Sequence, residues 1–198
     1  MRPRRTRDRP AFFFDLACPF SYLAAEQVQR ALGQVDWIPV RGQDTSDEPW
    51  GRLEAACDHA QRRAVTLRLP LVWPERFPSP VPRALRVAAY AAEIGAGDRF
   101  TLAASRLAFC GGFDLEEPDV LAEAGAASGL ASDALLAAAC DLSRDVALRS
   151  NAWSLLAQGV TRLPAFRVGR HYLQGERAIE AAALMQPPTA SRPLAPVC

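Results

Sequence analysis

The pattern of apolar and polar residues near the amino terminus predicts a strand that leads directly into a helix. An apolar run rich in aromatic residues begins at Phe12 and stops at Cys18 and Pro19, which is typical of a strand buried on both faces. Between Ala24 and Leu32, apolar residues recur with helical spacing and the polar residues face the opposite way. We therefore predict a strand, a cysteine and an amphipathic helix in that order, with the proline in the first helical turn.

The predicted junction between strand and helix makes Cys18 a candidate reactive thiol. The free N–H groups and the positive dipole end of a helix stabilise a thiolate, so we expect the pKa of Cys18 to lie below the free value of about 8.5. The carboxyl edge of a sheet is also where ligands bind in α/β proteins. The alternative is a buried structural cysteine beside an ordinary helix start, and the position in the chain favours the reactive thiol.

The remaining pattern predicts a second strand, a block of helices, a hairpin and a last helix. Residues 35–40 form the second strand, and Pro39 favours an edge position or a strand end there. Residues 163–173 form two strands joined by a two-residue turn at Gly169-Arg170. Five prolines within residues 66–82 indicate an irregular connection. Helices are predicted over residues 49–64, 83–94, 98–109, 118–127, 132–140, 143–158 and 176–185.

This order of elements predicts an α/β protein with a thioredoxin-like fold. A helical insertion separates its β-α-β half from its β-β-α half. We assign residues 11–48 and 143–185 to the thioredoxin-like core and residues 49–142 to the insertion. Residues 1–10 and 186–198 are expected to be flexible tails.

Composition limits the classes of partner. The chain has 198 residues, of which 49% are hydrophobic and 23% charged, as in soluble globular proteins. Its net charge of +1 hides a charge of +4 in residues 1–10, but no basic face with interleaved aromatic residues follows, so we expect no nucleic-acid binding. We see no signal peptide and no apolar run long enough to span a membrane, so we expect a cytoplasmic protein without membrane contact. All basic residues except the two histidines are arginines, which excludes Schiff-base chemistry by a lysine.

The cysteines are odd in number and widely spaced, without the spacing of a metal site or a disulfide framework. We therefore expect free thiols, a reducing compartment and no metal. Cys57 and His59 are two residues apart and do not share a helix face, which argues against a metal site there. Cys110 and Cys140 lie in apolar helical segments and are expected to be small core residues. The five cysteines are Cys18, Cys57, Cys110, Cys140 and Cys198.

Two stretches resemble the signature motifs of the DsbA-like thioredoxin superfamily. They are Phe14-Asp15 leading into Cys18-Pro19-Phe20-Ser21, and Gly159-Val160-Thr161-Arg162-Leu163-Pro164-Ala165-Phe166. Within the superfamily, the chain is most similar to the families of 2-hydroxychromene-2-carboxylate isomerase and kappa-class glutathione transferase. The resemblance extends from Ala11 to Leu184.

The resemblance implies a set of site residues. Cys18 and Ser21 would be catalytic, and the proline matching Pro164 is cis in the family and faces the active cysteine. Leu163 would then offer its backbone N–H and C=O to an extended thiol peptide. The stretch from Gln174 to Arg177 loosely matches the segment that meets the glutamyl end of glutathione, and a solvated helix start is an equal alternative. The implied substrate-binding residues are Pro19, Phe20, Leu163, Pro164, Glu176 and Arg177.

Ser21 bears directly on the predicted reaction. A dithiol oxidoreductase needs a resolving thiol at this position, so Cys18 can attack a disulfide but cannot close a local ring afterwards. The isomerase branch often has serine where this chain has Cys18, and tends to have asparagine where it has Pro82. We therefore predict a thiol-dependent oxidoreductase that uses a single cysteine with glutathione, or another small thiol, as co-substrate. The alternatives are a glutathione-dependent transferase or isomerase, and a non-catalytic binding module.

The expected partner is a small-molecule thiol or disulfide, and a homodimer remains an option. Oxidation is expected to join Cys18 to an outside thiol rather than to another cysteine of the chain. Cys198 is the one alternative partner, because 12 extended residues after Gln186 can reach about 40 Å.

Overall fold

The computed structural model describes residues 9–42 and 53–185. The predicted tails therefore lie largely outside the described residues. The same holds for Cys198 and for the predicted start of the first inserted helix at residue 49.

Four short strands form one mixed sheet in the order β2-β1-β3-β4. They are β1 (Ala11–Phe14), β2 (Asp36–Pro39), β3 (Ala165–Val168) and β4 (His171–Gln174). β1 pairs in parallel with β2 and antiparallel with β3, which pairs antiparallel with β4. All four residues of β1 are buried, and β2 is an edge strand that ends at Pro39. Both features confirm the predictions made from the apolar run and from the proline.

Eight helices accompany the sheet within the described ranges. Five of them, α2 to α6, fall between β2 and α7 along the chain, so the element order is that of a mixed α/β thioredoxin-like fold with inserted helices. None of the helices in this part of the chain is both long and apolar enough to cross a membrane. The helices are α1 (Pro19–Leu32), α2 (Leu53–Leu67), α3 (Pro82–Glu93), α4 (Gly97–Phe109), α5 (Pro118–Ser128), α6 (Ser132–Cys140), α7 (Arg144–Leu156) and α8 (Ala178–Leu184).

Side chains of β1 build the core on both faces of the sheet. Phe12 stacks on Phe14 and on Phe166, with ring centroids 5.4 and 4.9 Å apart, and meets the edge of Trp37 at 5.1 Å. These rings belong to the main core. Phe13 points to the other face, in a second cluster that includes residues of α7. Because successive side chains of β1 point to opposite faces of the sheet, both clusters hold the end of β1, where the turn that leads to Cys18 begins.

The inserted helices are fastened to the thioredoxin-like part by aromatic and ionic contacts. Tyr22 of α1 stacks on Phe109 of α4, with ring centroids 5.6 Å apart. Arg86 of α3 donates two hydrogen bonds to the carboxylate of Asp145 in α7, at 2.8 and 3.0 Å. Arg41, just after β2, lies 3.2 Å from the same carboxylate. This half-buried bidentate pair between Arg86 and Asp145 sets the orientation and distance of α3 relative to α7.

The structure corrects two expectations about the helices and thiols. α2 continues to Leu67, three residues beyond the predicted end, and stops before Arg68, whose φ of 56° cannot continue a right-handed helix. Cys140, expected in the core, is exposed because it is the last residue of α6. Cys110 is half-buried and follows the last turn of α4.

Candidate active site

Cys18 lies at the junction between β1 and α1. It is the N-cap residue of α1, with extended backbone angles (φ −98°, ψ 116°), and Pro19 begins the helix as predicted. Its N–H donates to the carbonyl of Asp15 at 3.1 Å, and its carbonyl accepts the N–H of Ser21 at 3.0 Å. Its side chain makes no capping hydrogen bond of normal geometry.

A buried carboxylate holds the turn that carries this cysteine. Asp15 is only 6% exposed. Its Oδ1 accepts the N–H of Ala17 at 2.8 Å, and its Oδ2 accepts the N–H of Gly42 at 2.6 Å. A Cβ atom on Gly42 would lie 2.8 Å from that Oδ2, so a side chain there would push the segment after β2 away from the turn. Asp15 thereby joins the ends of β1 and β2 beneath Cys18.

The hydroxyl of Ser21 lies at the same turn between β1 and α1. Its side chain is buried, and its Oγ accepts the backbone N–H of Asp15 at 3.3 Å. The hydroxyl and the backbone N–H groups of Ser21 and Phe20 also interact with the Cys18 thiol, and each of them lowers its pKa. All three contacts favour the thiolate, as expected at a helix N-terminus.

The prediction of a lowered pKa for Cys18 is nevertheless wrong. Part of the residue reaches the surface, but its sulfur is surrounded closely enough by protein that burial raises the pKa above the free value. The negative charge of Asp15 adds to the increase, and the donors from Ser21 and Phe20 offset only part of it. The resting thiol is therefore protonated at neutral pH.

The loop before β3 faces Cys18 from the opposite side. The Leu163–Pro164 peptide bond is cis, which confirms the expectation drawn from the family resemblance. The carbonyl oxygen of Leu163 lies 4.0 Å from the sulfur of Cys18, at the outer limit of a sulfur hydrogen bond. The residue in contact with the thiol is thus the one before the proline. The carbonyl of Pro164 itself accepts the N–H of Gly175 at 2.8 Å.

Helix α2 of the insertion packs beside the cysteine motif, a contact that the sequence analysis does not predict. His59 of α2 packs against the ring of Phe20, with centroids 5.6 Å apart and planes at 73°. Its Nε2 lies 2.7 Å from Oε2 of Glu176, just before α8. Four residues later in each segment, Arg63 of α2 pairs with Glu180 of α8. The sequence suggests for His59 only an unlikely metal pair with Cys57, and no local pattern indicates that α2 packs beside the cysteine motif.

The structure brings most of the residues proposed from the sequence around one thiol. Ser21 and Leu163 approach the sulfur, and Glu176 adjoins Phe20 through His59. Arg177 is exposed as the N-cap of α8, and no contact among the described residues joins it to this group. Within residues 9–42 and 53–185, no cluster of three or more histidine, cysteine or acidic residues could hold a metal ion. The arrangement places the Cys18 thiol beside the half-buried backbone of Leu163.

Comparison with known proteins gives the family. The model of the DSBA-like thioredoxin domain matches residues 11–184, which is nearly the whole chain. No curated protein matches the chain.

Solved structures share the fold at low sequence identity. A 2-hydroxychromene-2-carboxylate isomerase superposes with a TM-score of 0.76 at 17% identity, covering 89% of this chain and 93% of that one. A probable DsbA oxidoreductase from Streptomyces coelicolor gives a TM-score of 0.72 at 17% identity, covering 89% and 87%. The cytosolic disulfide reductase DsbM from Pseudomonas aeruginosa, solved with glutathione, gives 0.64 at 20% identity, covering 89% and 96%.

Proposed function

Because the chain belongs to the DSBA-like thioredoxin domain family, we propose that it is a thiol-disulfide oxidoreductase with Cys18 as its single nucleophile and glutathione as co-substrate. The observation that carries the proposal is the surroundings of the sulfur. Donors from Phe20 and Ser21 meet it on the helix side, and the backbone of Leu163 meets it at 4.0 Å on the other. This arrangement supports a reaction in which a second sulfur approaches the first between these two elements.

The reaction proceeds through one mixed disulfide. Cys18 loses its proton to solvent, and the thiolate attacks one sulfur of a disulfide RSSR, forming Cys18–SR and releasing RS⁻, which takes up a proton. A glutathione thiolate then attacks the substrate sulfur of Cys18–SR, giving RSSG and restoring the Cys18 thiolate. A second cycle converts RSSG and another glutathione into RSH and oxidised glutathione.

Ser21 fits a monothiol route of this kind. It provides no resolving thiol, so the second attack comes from outside the chain. Its hydroxyl and N–H both lower the pKa of Cys18, so they stabilise the negative charge when that sulfur is expelled. A stabilised thiolate would favour the reduced state and make the site oxidising. Burial raises the pKa of Cys18, so the reduced state lacks that stabilisation, and the site is expected to reduce disulfides rather than to oxidise thiols.

The substrate would lie between the two elements that face Cys18. An extended thiol peptide would pair with the backbone of Leu163 beside Pro164, with Pro19 and Phe20 as apolar contacts. Glu176 and Arg177 would meet the charged end of glutathione. The glutathione bound to the similar reductase DsbM supports this choice of thiol. Free thiols at such a site also suit a reducing compartment such as the cytoplasm.

A glutathione-dependent isomerase or transferase is the second candidate. A narrow, largely apolar crevice adjoins the cysteine-bearing turn. Its volume of ≈ 20 Å³ holds about one water molecule, so an aromatic electrophile would enter only if the walls moved apart. The likeness to an isomerase of an aromatic-derived acid agrees with this reading. The crevice is lined by Leu16, Ala17, Phe77, Val81, Phe109 and Phe113, among others.

Intact-mass analysis after treatment with oxidised glutathione tests the proposal. The wild type should gain one glutathione, Cys18→Ser none, and the matched control Cys57→Ser the same amount as the wild type. No adduct at Cys18 would contradict the nucleophile and favour a binding module. A loss of two hydrogens, with Cys18 linked to Cys198 in the peptide map, would assign the resolving step to the chain itself.

A turnover assay separates the two enzyme classes. Reduced glutathione is supplied with bis(2-hydroxyethyl) disulfide, and formation of oxidised glutathione is followed. Turnover that depends on Cys18 supports the oxidoreductase. Conversion of an aromatic electrophile in the presence of glutathione, without disulfide reduction, would favour the second candidate.

A further inference from the structure

The side chain of Gln174 folds back onto the loop that precedes Pro164. Its Oε1 accepts two backbone N–H groups, from Thr161 at 2.8 Å and from Arg162 at 3.0 Å. Its Nε2 lies 3.4 Å from the carbonyl of Gly159. One carbonyl oxygen has two lone pairs, so this amide satisfies two consecutive donors of the loop at once.

The backbone around Gln174 is itself firmly placed. Gln174 is the last residue of β4 and stands opposite Ala165 in the sheet. The next residue, Gly175, donates its N–H to the carbonyl of Pro164 at 2.8 Å. The loop is therefore held by side-chain bonds before Leu163 and by a backbone bond after it.

Leu163 is the residue between these two attachments. Its carbonyl oxygen is the one that lies 4.0 Å from the Cys18 sulfur. Gly159, with a φ of 74°, begins the loop and has no side chain to restrain it. The distance between the Leu163 backbone and the thiol thus depends on the bonds that Gln174 makes.

We propose that Gln174 is a positioning residue, which holds the Leu163 backbone at the distance from Cys18 that a thiol substrate needs. The inference rests on the proposed function, since it assumes that the substrate reacts at Cys18 and pairs with Leu163. Without the acceptor, the N–H groups of Thr161 and Arg162 turn to water and the loop gains freedom. Reactive geometry is sensitive to displacements of about 1 Å, so binding and orientation of an extended substrate suffer before the thiol itself does.

Two variants separate the acceptor from the mere presence of a side chain. Gln174→Glu replaces the amide by a carboxylate, which keeps an oxygen that accepts both N–H groups and loses the 3.4 Å contact of Nε2 with the Gly159 carbonyl. Gln174→Leu has a similar size without any acceptor. Gln34→Leu, at an exposed position after α1, is the control for a general effect of replacing a surface glutamine.

The measurement compares two reagents at Cys18. Oxidised glutathione uses the backbone of Leu163, and iodoacetamide is too small to need it. Gln174→Leu should slow the reaction with oxidised glutathione by about three- to tenfold, the equivalent of one or two net hydrogen bonds, and leave the iodoacetamide rate and its pH profile unchanged. Gln34→Leu should react like the wild type, and Gln174→Glu should be slowed less than Gln174→Leu because it keeps the acceptor. Equal slowing with both reagents, or slowing in Gln174→Glu as large as in Gln174→Leu, would overturn the inference.

Amide hydrogen exchange keeps this test independent of the proposed function. If the wild type forms no glutathione adduct at Cys18, the proposed function fails, and the loop still reports on Gln174. Exchange at Thr161 and Arg162 should be about three- to tenfold faster in Gln174→Leu and unchanged in Gln174→Glu. Unchanged exchange in Gln174→Leu would show that Gln174 does not hold the loop.

Discussion

Cys18 and Cys110 are both half-buried thiols at the ends of helices, but the two helix ends give them opposite surroundings. Cys18 caps the amino end of α1, where N–H groups from Phe20 and Ser21 point at its sulfur. Cys110 caps the carboxyl end of α4, where its own N–H is bonded to the carbonyl of Arg106 at 2.8 Å. Donors thus surround one thiol, and the negative end of a helix dipole lies beside the other.

Tyr22 completes the contrast. Its hydroxyl lies 3.1 Å from the sulfur of Cys110 and donates to the carbonyl of Pro70 at 2.9 Å. Burial and the bond to Cys110 raise the pKa of Tyr22, so the phenol remains neutral beside the thiol. Cys110 is thereby part of a neutral packing contact between α1 and α4. The same helix α1 therefore supports a site at its start and a structural contact one turn later.

The largest expected effect comes from removing each thiol in turn. Cys18→Ser should abolish both glutathione adduct formation and disulfide turnover, because the thiolate is the attacking atom. Cys110→Ser should keep turnover within about twofold, since its sulfur only packs against Tyr22. Turnover assays on both variants check this. Comparable activity in Cys18→Ser and the wild type would show that Cys18 is not the reacting thiol.

Ser21→Cys should change the product of oxidation. Residue 18 is the N-cap of α1, residue 21 lies in its first turn, and the Ser21 side chain interacts with the Cys18 thiol. A sulfur at residue 21 is therefore close enough to form a disulfide across the first turn of α1. Treatment with oxidised glutathione should then remove two hydrogens instead of adding a glutathione, as mass spectrometry would detect. Ser105→Cys, a buried serine on α4, is a matched control that should leave the adduct in place. A stable glutathione adduct on Ser21→Cys would show that residue 21 cannot reach the sulfur.

Asp15→Asn should make Cys18 more reactive at neutral pH. The charge of Asp15 raises the pKa of Cys18, so its removal lowers that pKa and increases the thiolate fraction at any pH below it. The iodoacetamide rate at pH 7 should rise severalfold, and the rise of the rate with pH should begin earlier. Asp98→Asn, at an exposed site bonded to Gln29, should leave the profile unchanged. A later rise in Asp15→Asn would mean that loss of the bonds to Ala17 and Gly42 outweighs the removed charge.

Local patterns were sufficient to predict the framework of the site. The aromatic run of β1, the proline at the start of α1 and the glycine in the hairpin each act within a few residues, and each has the predicted outcome. The cis bond before Pro164 followed from a motif resemblance. These features depend on backbone restrictions that are encoded where they occur.

The surroundings of the thiol could not be predicted in the same way. The sign of the pKa change at Cys18 depends on burial, which is set by elements from the whole chain, and the sequence displays only the helix start. His59 reaches Phe20 because α2 packs beside α1, and helical periodicity does not say which neighbour a face will meet. Cys140 shows the same limit, since an apolar segment does not reveal that its last residue faces solvent.

The smallest expected effect tests the structural side of the comparison. Tyr22→Phe keeps the ring that stacks on Phe109 but removes the hydroxyl between Pro70 and Cys110. The Pro70 carbonyl loses its donor, so the free energy of unfolding should fall by about 1 kcal/mol, the net value of one such hydrogen bond. Urea unfolding measures this, with Tyr172→Phe, on β4, as the control expected to change less.

The reactivity of Cys18 decides what a Tyr22→Phe result means. If the start of α1 and the Tyr22 contact one turn later act separately, the iodoacetamide rate at Cys18 should match that of the wild type although the protein is less stable. Coupling through the helix would instead slow both the iodoacetamide reaction and the turnover with glutathione. Tyr22 is four residues from Cys18, and its N–H bonds to the Cys18 carbonyl at 3.2 Å, so the backbone contact survives the substitution. Because that contact and the ring packing both remain, we expect the loss to be confined to stability.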